Sequence, residues 1–217
     1  KQIQRGVVAL GDLVPISVKA WRAEGSKMFV REGTKVLLSD LLRGVVVQSG
    51  NDASIALAEF IAGDENSFAQ MMNTQAEELG MFNSRFVNST GLPDTEHYSS
   101  ARDLAFLTVD LIRKYPKHYE LYSERSFKFN NIEQPNRNRL LRYDRSVDGV
   151  KTGYTRAAGY CLIASAEREG MRLISVVMGA DSDDSRVRES QKLLTYGFRN
   201  YETVEIYQEN EVVKTAS

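Results

Sequence analysis

At 217 residues with 42% hydrophobic content, the chain is long enough to bury the core of one large domain or two small ones. Its 28 Lys and Arg against 29 Asp and Glu argue against nucleic acid, or any other partner bound mainly through bulk charge. The single cysteine, Cys161, excludes an internal disulfide framework and reads as a small core residue within the apolar run 160–164, while the longest apolar run, 173–180, is too short to cross a bilayer.

The chain opens on Lys1 with no charged stretch, apolar core and cleavage site after it, so no signal peptide is expected within it and an upstream segment is. From Ser39 the pattern predicts a helix capped by the Ser39 hydroxyl and stopping at Ser49-Gly50-Asn51. Further helices are predicted over about 52–61, 65–79 with Gly80 as C-cap, and 100–114 before Pro116. In the last of these, Leu104, Leu107, Thr108, Leu111 and Ile112 share a face expected to be core, with Arg102, Asp103 and Asp110 elsewhere.

After Ser123 the period changes. Phe127 and Phe129 alternate with polar residues and turn residues follow, which predicts short strands around a loop. Two longer strands, 160–166 and 171–179, are joined through Arg168-Glu169-Gly170 as a hairpin, with a neighbouring strand through Val150 and Lys151. A closing helix over about 185–201 carries Val187, Leu194, Phe198 and Tyr201 on the face suited to cover that sheet. The expected architecture is α+β: an antiparallel sheet flanked by helices, with a helical lobe inserted over about 39–122. Past Tyr201, the alternation in Thr203-Val204-Glu205-Ile206-Tyr207 predicts the opening of a further β element, truncated at 217.

Two tripeptides carry chemistry together: Ser49-Gly50-Asn51 on a helix–helix turn and Lys151-Thr152-Gly153 on a strand. Acyl transfer from a peptide needs a proton shuttle to the leaving amine and a binder for its carboxylate. Ser49 and Lys151 can supply the shuttle jointly, because an ammonium beside a hydroxyl lowers its proton affinity and holds the proton in line. Asn51 can clamp a substrate amide, Thr152 offers a hydroxyl to a carboxylate, and Gly153 leaves the strand open to a substrate strand.

This order resembles the serine penicillin-recognising enzymes, and within them the D-alanyl-D-alanine carboxypeptidases of Gram-negative periplasm. The matching stretches are 42–53, 91–103, Asn136-Arg137-Asn138, 147–153 and 171–175. The resemblance implies a β-lactamase/transpeptidase-like fold whose catalytic domain covers 1–202, with 203–217 opening a C-terminal β domain. It implies Arg137 as a partner of Thr152 and Lys151 for the substrate's terminal carboxylate, and a backbone N–H of Tyr154, where many relatives carry His, for the oxyanion. The ligands implied are peptidoglycan pentapeptide and β-lactams, with the full protein peripheral to the inner membrane through a C-terminal segment.

One departure is large: no serine in the 217 residues has a lysine three positions on. Ser99, Ser165 and Ser185 have Arg there, which cannot deprotonate to act as a base, and they read as helix or strand surface. The N-terminal nucleophile segment is therefore expected to be a missing part of the same protein, docking into the cleft between the lobes. Two alternatives stay open: a β-lactamase, for which no Glu-x-x-x-Asn is evident, and a non-catalytic peptidoglycan-binding homologue. His97 and His118 are isolated and read as solvent-facing, and Asp181-Ser182-Asp183-Asp184 reads as helix capping, so neither a metal nor a cofactor is expected. Asn88-Ser89-Thr90 reads only as a loop.

Overall fold

The computed structural model describes residues 1–204 and 206. In chain order the elements are β1 (Leu13–Pro15), α1 (Val18–Arg22), β2 (Lys35–Leu37), α2 (Leu38–Gln48), α3 (Asn51–Ala62), α4 (Glu65–Glu78), α5 (Ala101–Lys114) and α6 (Pro116–Tyr119). After a 3-10 turn come β3 (Ser126–Phe129), β4 (Ile132–Pro135), α7 (Leu140–Tyr143), β5 (Val147–Thr155), β6 (Gly159–Arg168), β7 (Met171–Ala180) and α8 (Asp183–Asn200). The fold is α+β, as the sequence predicts.

The main sheet runs β5-β6-β7, antiparallel throughout. Glu169 (φ 48°) and Gly170 (φ 78°) both take the left-handed conformation, the requirement of a two-residue hairpin whose twist matches its strands. Along β6 the period of two sends Leu162, Ala164 and Ala166 to one face, where they meet Val187 and Leu194 of α8 in a closed core. A separate core, built from Val14, Met28, Leu38, Leu41 and Ala56, holds the helical lobe, with Phe127 and Phe129 packed onto it. The site lies between the turn joining α2 to α3 and strand β5.

Several expectations are corrected. Helix α2 starts at Leu38 with no side-chain cap, because the first-turn amides of Leu38 and Ser39 are taken by the carbonyls of Asp12 and Leu10. The expected core stripe of α5 is only half-buried except Thr108, and Asp103, expected off that face, is 1% exposed. Its carboxylate accepts from Ser84 Oγ and Asn83 N, both at 2.8 Å, a satisfied burial that a helical pattern does not register. Ser165 is buried beneath Arg172 rather than on the surface, and Tyr201 ends α8 at 63% exposed instead of covering the sheet. Both histidines are half-buried, His97 edge-on to Phe86. The reading of 181–184 as helix capping, by contrast, stands: Ser182 caps α8, accepting from Ser185 N. Residues 201–204 form no strand, and the rest of the expected β element, apart from Ile206, lies outside the described residues.

Candidate active site

Helix α2 ends in a left-handed residue that is not glycine. Ser49 sits at φ 61°, ψ 38°, its N–H on the Val45 carbonyl and that of Gly50 on the Gly44 carbonyl. A β-carbon on a left-handed backbone costs energy, so the conformation is held by its surroundings. Gly50 is one of them, since a Cβ there would lie 2.9 Å from Asp52 Oδ1 and 3.1 Å from the Met28 nitrogen.

The holding residue is Asp52, which sequence reasoning missed. Wholly buried, it accepts from Met28 N and Ala53 N through Oδ1 and from Phe29 N and Val30 N through Oδ2, all at 2.9–3.1 Å. Four backbone donors satisfy the carboxylate and fasten the segment 28–30 against the turn. The signal was an Asp in the first turn of a helix, which reads as ordinary dipole complementation until its distant partners are known. Asn51 is fixed from the same side: its Nδ2 donates to the Glu24 carbonyl at 2.7 Å, leaving its amide oxygen without a partner among the described residues.

Lys151 comes from β5, and its ammonium donates to Ser49 Oγ and, at 3.0 Å, to the Thr152 carbonyl. As a whole residue it is half-buried, but burial of the ammonium, followed by the charges of Arg137 and Arg186, lowers its pKa to about 7. Thr152 is 8% exposed on the cleft wall, and Gly153 is exposed beside it. A Cβ at Gly153 would meet only Cys161 Cβ, at an ordinary 3.6 Å, so nothing within the chain demands glycine there. Tyr154 is 57% exposed and packs on Tyr160, ring centroids 4.4 Å apart.

Arg137 projects from a frame made by its neighbours. Asn138 is 1% exposed and donates to the Gly149 carbonyl of β5 at 3.0 Å, while Asn136 Oδ1 accepts from Asn138 N and its Nδ2 reaches the Glu124 carbonyl. The backbone N–H of Arg137 lies on the Val47 carbonyl and its Nε on that of Gln48 at 2.8 Å, so the guanidinium is aimed by α2. Among the described residues no carboxylate pairs with it. Burial and then the Arg186 charge weigh against its proton, so an arriving anion would relieve it.

All the sequence-predicted site residues, Ser49, Asn51, Arg137, Lys151, Thr152, Gly153 and Tyr154, line one open cleft of about 1060 Å³. Cations dominate its wall: among the described residues, Arg137, Arg139, Arg142, Lys151 and Arg186 face a single lining carboxylate, Asp183. That carboxylate is already engaged by Arg139 and Arg186, which, against the opposing effect of burial, hold its pKa below the usual range. One expectation changes here: Cys161 is half-buried on the cleft wall instead of in the core, while Ser89 and Thr90 lie on a loop as expected, and that loop lines the cleft.

A family model described as D-alanyl-D-alanine carboxypeptidase, peptidase S11, matches residues 1–182. The D-alanyl-D-alanine carboxypeptidase DacC of Escherichia coli is 48% identical over 91% of this chain and 51% of its own length, so the chain spans about half of that curated relative. Penicillin-binding protein 5 from Haemophilus influenzae superposes with a TM-score of 0.90 at 47% identity, over 93% of this chain and 60% of that one. Penicillin-binding protein D2 from Listeria monocytogenes, in an ampicillin-bound form, superposes with a TM-score of 0.82 at 29% identity, over 91% of this chain and 80% of that one. On the reach of the family model and these likenesses, across both the turn bearing Ser49 and the strand bearing Lys151, the chain belongs to the S11 peptidases, the D-alanyl-D-alanine carboxypeptidase family.

Proposed function

We propose that the chain is the larger part of a serine D-alanyl-D-alanine carboxypeptidase domain, which removes the terminal D-Ala of peptidoglycan pentapeptide through an acyl-enzyme. The observation that carries the reading is the hydrogen bond from Lys151, an ammonium held close to neutrality, to Ser49 across an open cationic cleft. A nucleophilic serine from a Ser-x-x-Lys segment outside these 217 residues gives its proton to that segment's lysine and attacks the carbonyl of the penultimate residue. As the peptide bond breaks, Ser49 passes its proton to the leaving amine and is resupplied by Lys151, and free D-Ala departs. Water then cleaves the ester and restores the serine. Asn51 accepts the substrate amide N–H through its open oxygen, the Tyr154 N–H donates to the oxyanion, and Thr152 and Arg137 hold the terminal carboxylate.

β-Lactams, which carry a carboxylate and a strained amide, enter the same cleft and acylate the same serine. Among the described residues the only carboxylate lining the cleft, Asp183, is occupied by two arginines and offers no free base for the rapid deacylation that a β-lactamase requires, so the β-lactam adduct decays slowly. That feature favours a carboxypeptidase over a β-lactamase. A substrate of this class places the protein in the bacterial cell envelope, on the outer side of the inner membrane. The test uses the full-length gene product: release of D-Ala from a D-Ala-D-Ala peptide together with a slowly decaying penicilloyl adduct. Peptide binding without release or adduct would leave a non-catalytic peptidoglycan-binding protein, and rapid turnover of penicillin would make it a β-lactamase.

A further inference from the structure

Arg186 reaches the cleft wall from the start of α8 and is 7% exposed. Its Nη1 donates to the carbonyl of Gly153 at 3.0 Å and to that of Cys161 at 3.3 Å, two residues that face each other across β5 and β6. Its Nη2 is held by Asp183. The guanidinium lies 5.5 Å from the ring centre of Tyr160, and that ring packs on Tyr154. These contacts fall beside an irregularity of the sheet. Between Tyr160 and Leu162 the β6–β7 register slips, so Cys161 drops out of the ladder with β7, and β5 ends at Thr155.

A buried guanidinium is costly unless its donors are met, and an apolar side chain of similar volume is easier to bury. Packing alone therefore gives no reason for arginine at this position. Bridging two carbonyls on neighbouring strands does, because a planar fork can span them and a flexible ammonium cannot hold both in a fixed geometry.

We infer that Arg186 is a positioning residue: it brackets Gly153 to Cys161 and, through Tyr160, sets Tyr154, so that the strand from Lys151 to Tyr154 meets its substrate in one geometry. The inference rests on the acyl-transfer reading above. Arg186 touches no reacting atom and acts through β5. Its charge also bears on Lys151, as the third cause of the lowered pKa after burial and Arg137.

The test compares full-length wild type with R186M, R186K and D183N. Amide exchange at Gly153 and Tyr154, read without substrate, should quicken about tenfold in R186M while exchange over 162–166 of β6 stays at the wild-type rate. Peptide hydrolysis by R186M should lose about tenfold in kcat/KM, carried by KM, and its Lys151 inflection should move to higher pH. R186K should return the inflection to the wild-type position without recovering KM, a separation that simple loss of stability cannot produce. If R186M does not fold, D183N decides, since it replaces the carboxylate that aims the guanidinium with a neutral amide while leaving α8 capped by Ser182. An R186M or D183N protein with wild-type exchange at Gly153 and Tyr154 overturns the inference. A wild type that exchanges slowly there but releases no D-Ala sinks only the acyl-transfer reading.

Discussion

Lys151 on β5 donates to the hydroxyl of Ser49, 102 residues earlier in the chain, and so ties the sheet to the turn between α2 and α3. The contact sets a left-handed serine and a partly neutralised lysine over one cleft. Each partner is prepared separately, Ser49 by Asp52 and Gly50, and Lys151 by burial beside Arg137 and Arg186.

Arg137→Ala should weaken hydrolysis of a D-Ala-D-Ala peptide by about a hundredfold, chiefly through KM, and slow acylation by benzylpenicillin much less. The linear peptide depends on its carboxylate being held, whereas the strained lactam brings reactivity of its own. Parallel kinetics with the two substrates check this. Equal losses with both would place Arg137 in the chemical step instead of in carboxylate binding.

The lowered pKa of Lys151 has a consequence for folding. In the folded protein Lys151 gives up its proton near pH 7, whereas an unfolded lysine keeps it to about pH 10.4. Between those values the unfolded chain binds the extra proton, so the contribution of Lys151 to stability rises with pH across the window and is lost as pH falls through about 7. Urea unfolding of wild type and Lys151→Met, followed between about pH 6 and 9, should show the wild type gaining on the variant as pH rises. A constant difference would mean that Lys151 titrates as an ordinary lysine.

Asp52→Ala should destabilise the protein by at least about 3 kcal/mol, because four backbone N–H groups lose their acceptor and at least the buried ones are left unpaired. Asp52→Asn, retaining one acceptor oxygen, should cost less. Denaturant midpoints measure both. An Asp52→Ala protein as stable as wild type would show that the segment 28–30 is held by other contacts.

How much of this was legible in the sequence depends on the reach of each interaction. The helices over 51–114 and the β6–β7 hairpin follow from local period and from Glu169-Gly170, so their limits were readable to within a residue or two. The two tripeptides were readable because each carries its chemistry in three adjacent residues. The Ser39 cap failed because the first amides of α2 find carbonyls at Leu10 and Asp12, in a segment too short in its strands to show a period. Asp103 fell off the apolar face and Asp52 drew no reading for the same reason: most of the donors that make their burial tolerable lie about 20 residues away or more. Cys161 read as core because it lies in an apolar run, although the period of two puts it on the face opposite Leu162 and Ala164, and an apolar run does not tell which face meets the cleft.

Intact-mass spectrometry of the full-length protein mixed with benzylpenicillin, alongside release of D-Ala from a D-Ala-D-Ala peptide, tests the proton relay through Lys151 and Ser49 most directly. The wild type should show one long-lived penicilloyl adduct and peptide turnover, with Lys151→Ala slowing both by about a hundredfold or more. A Lys151→Ala protein that forms adduct and turns over peptide at wild-type rates would contradict that relay.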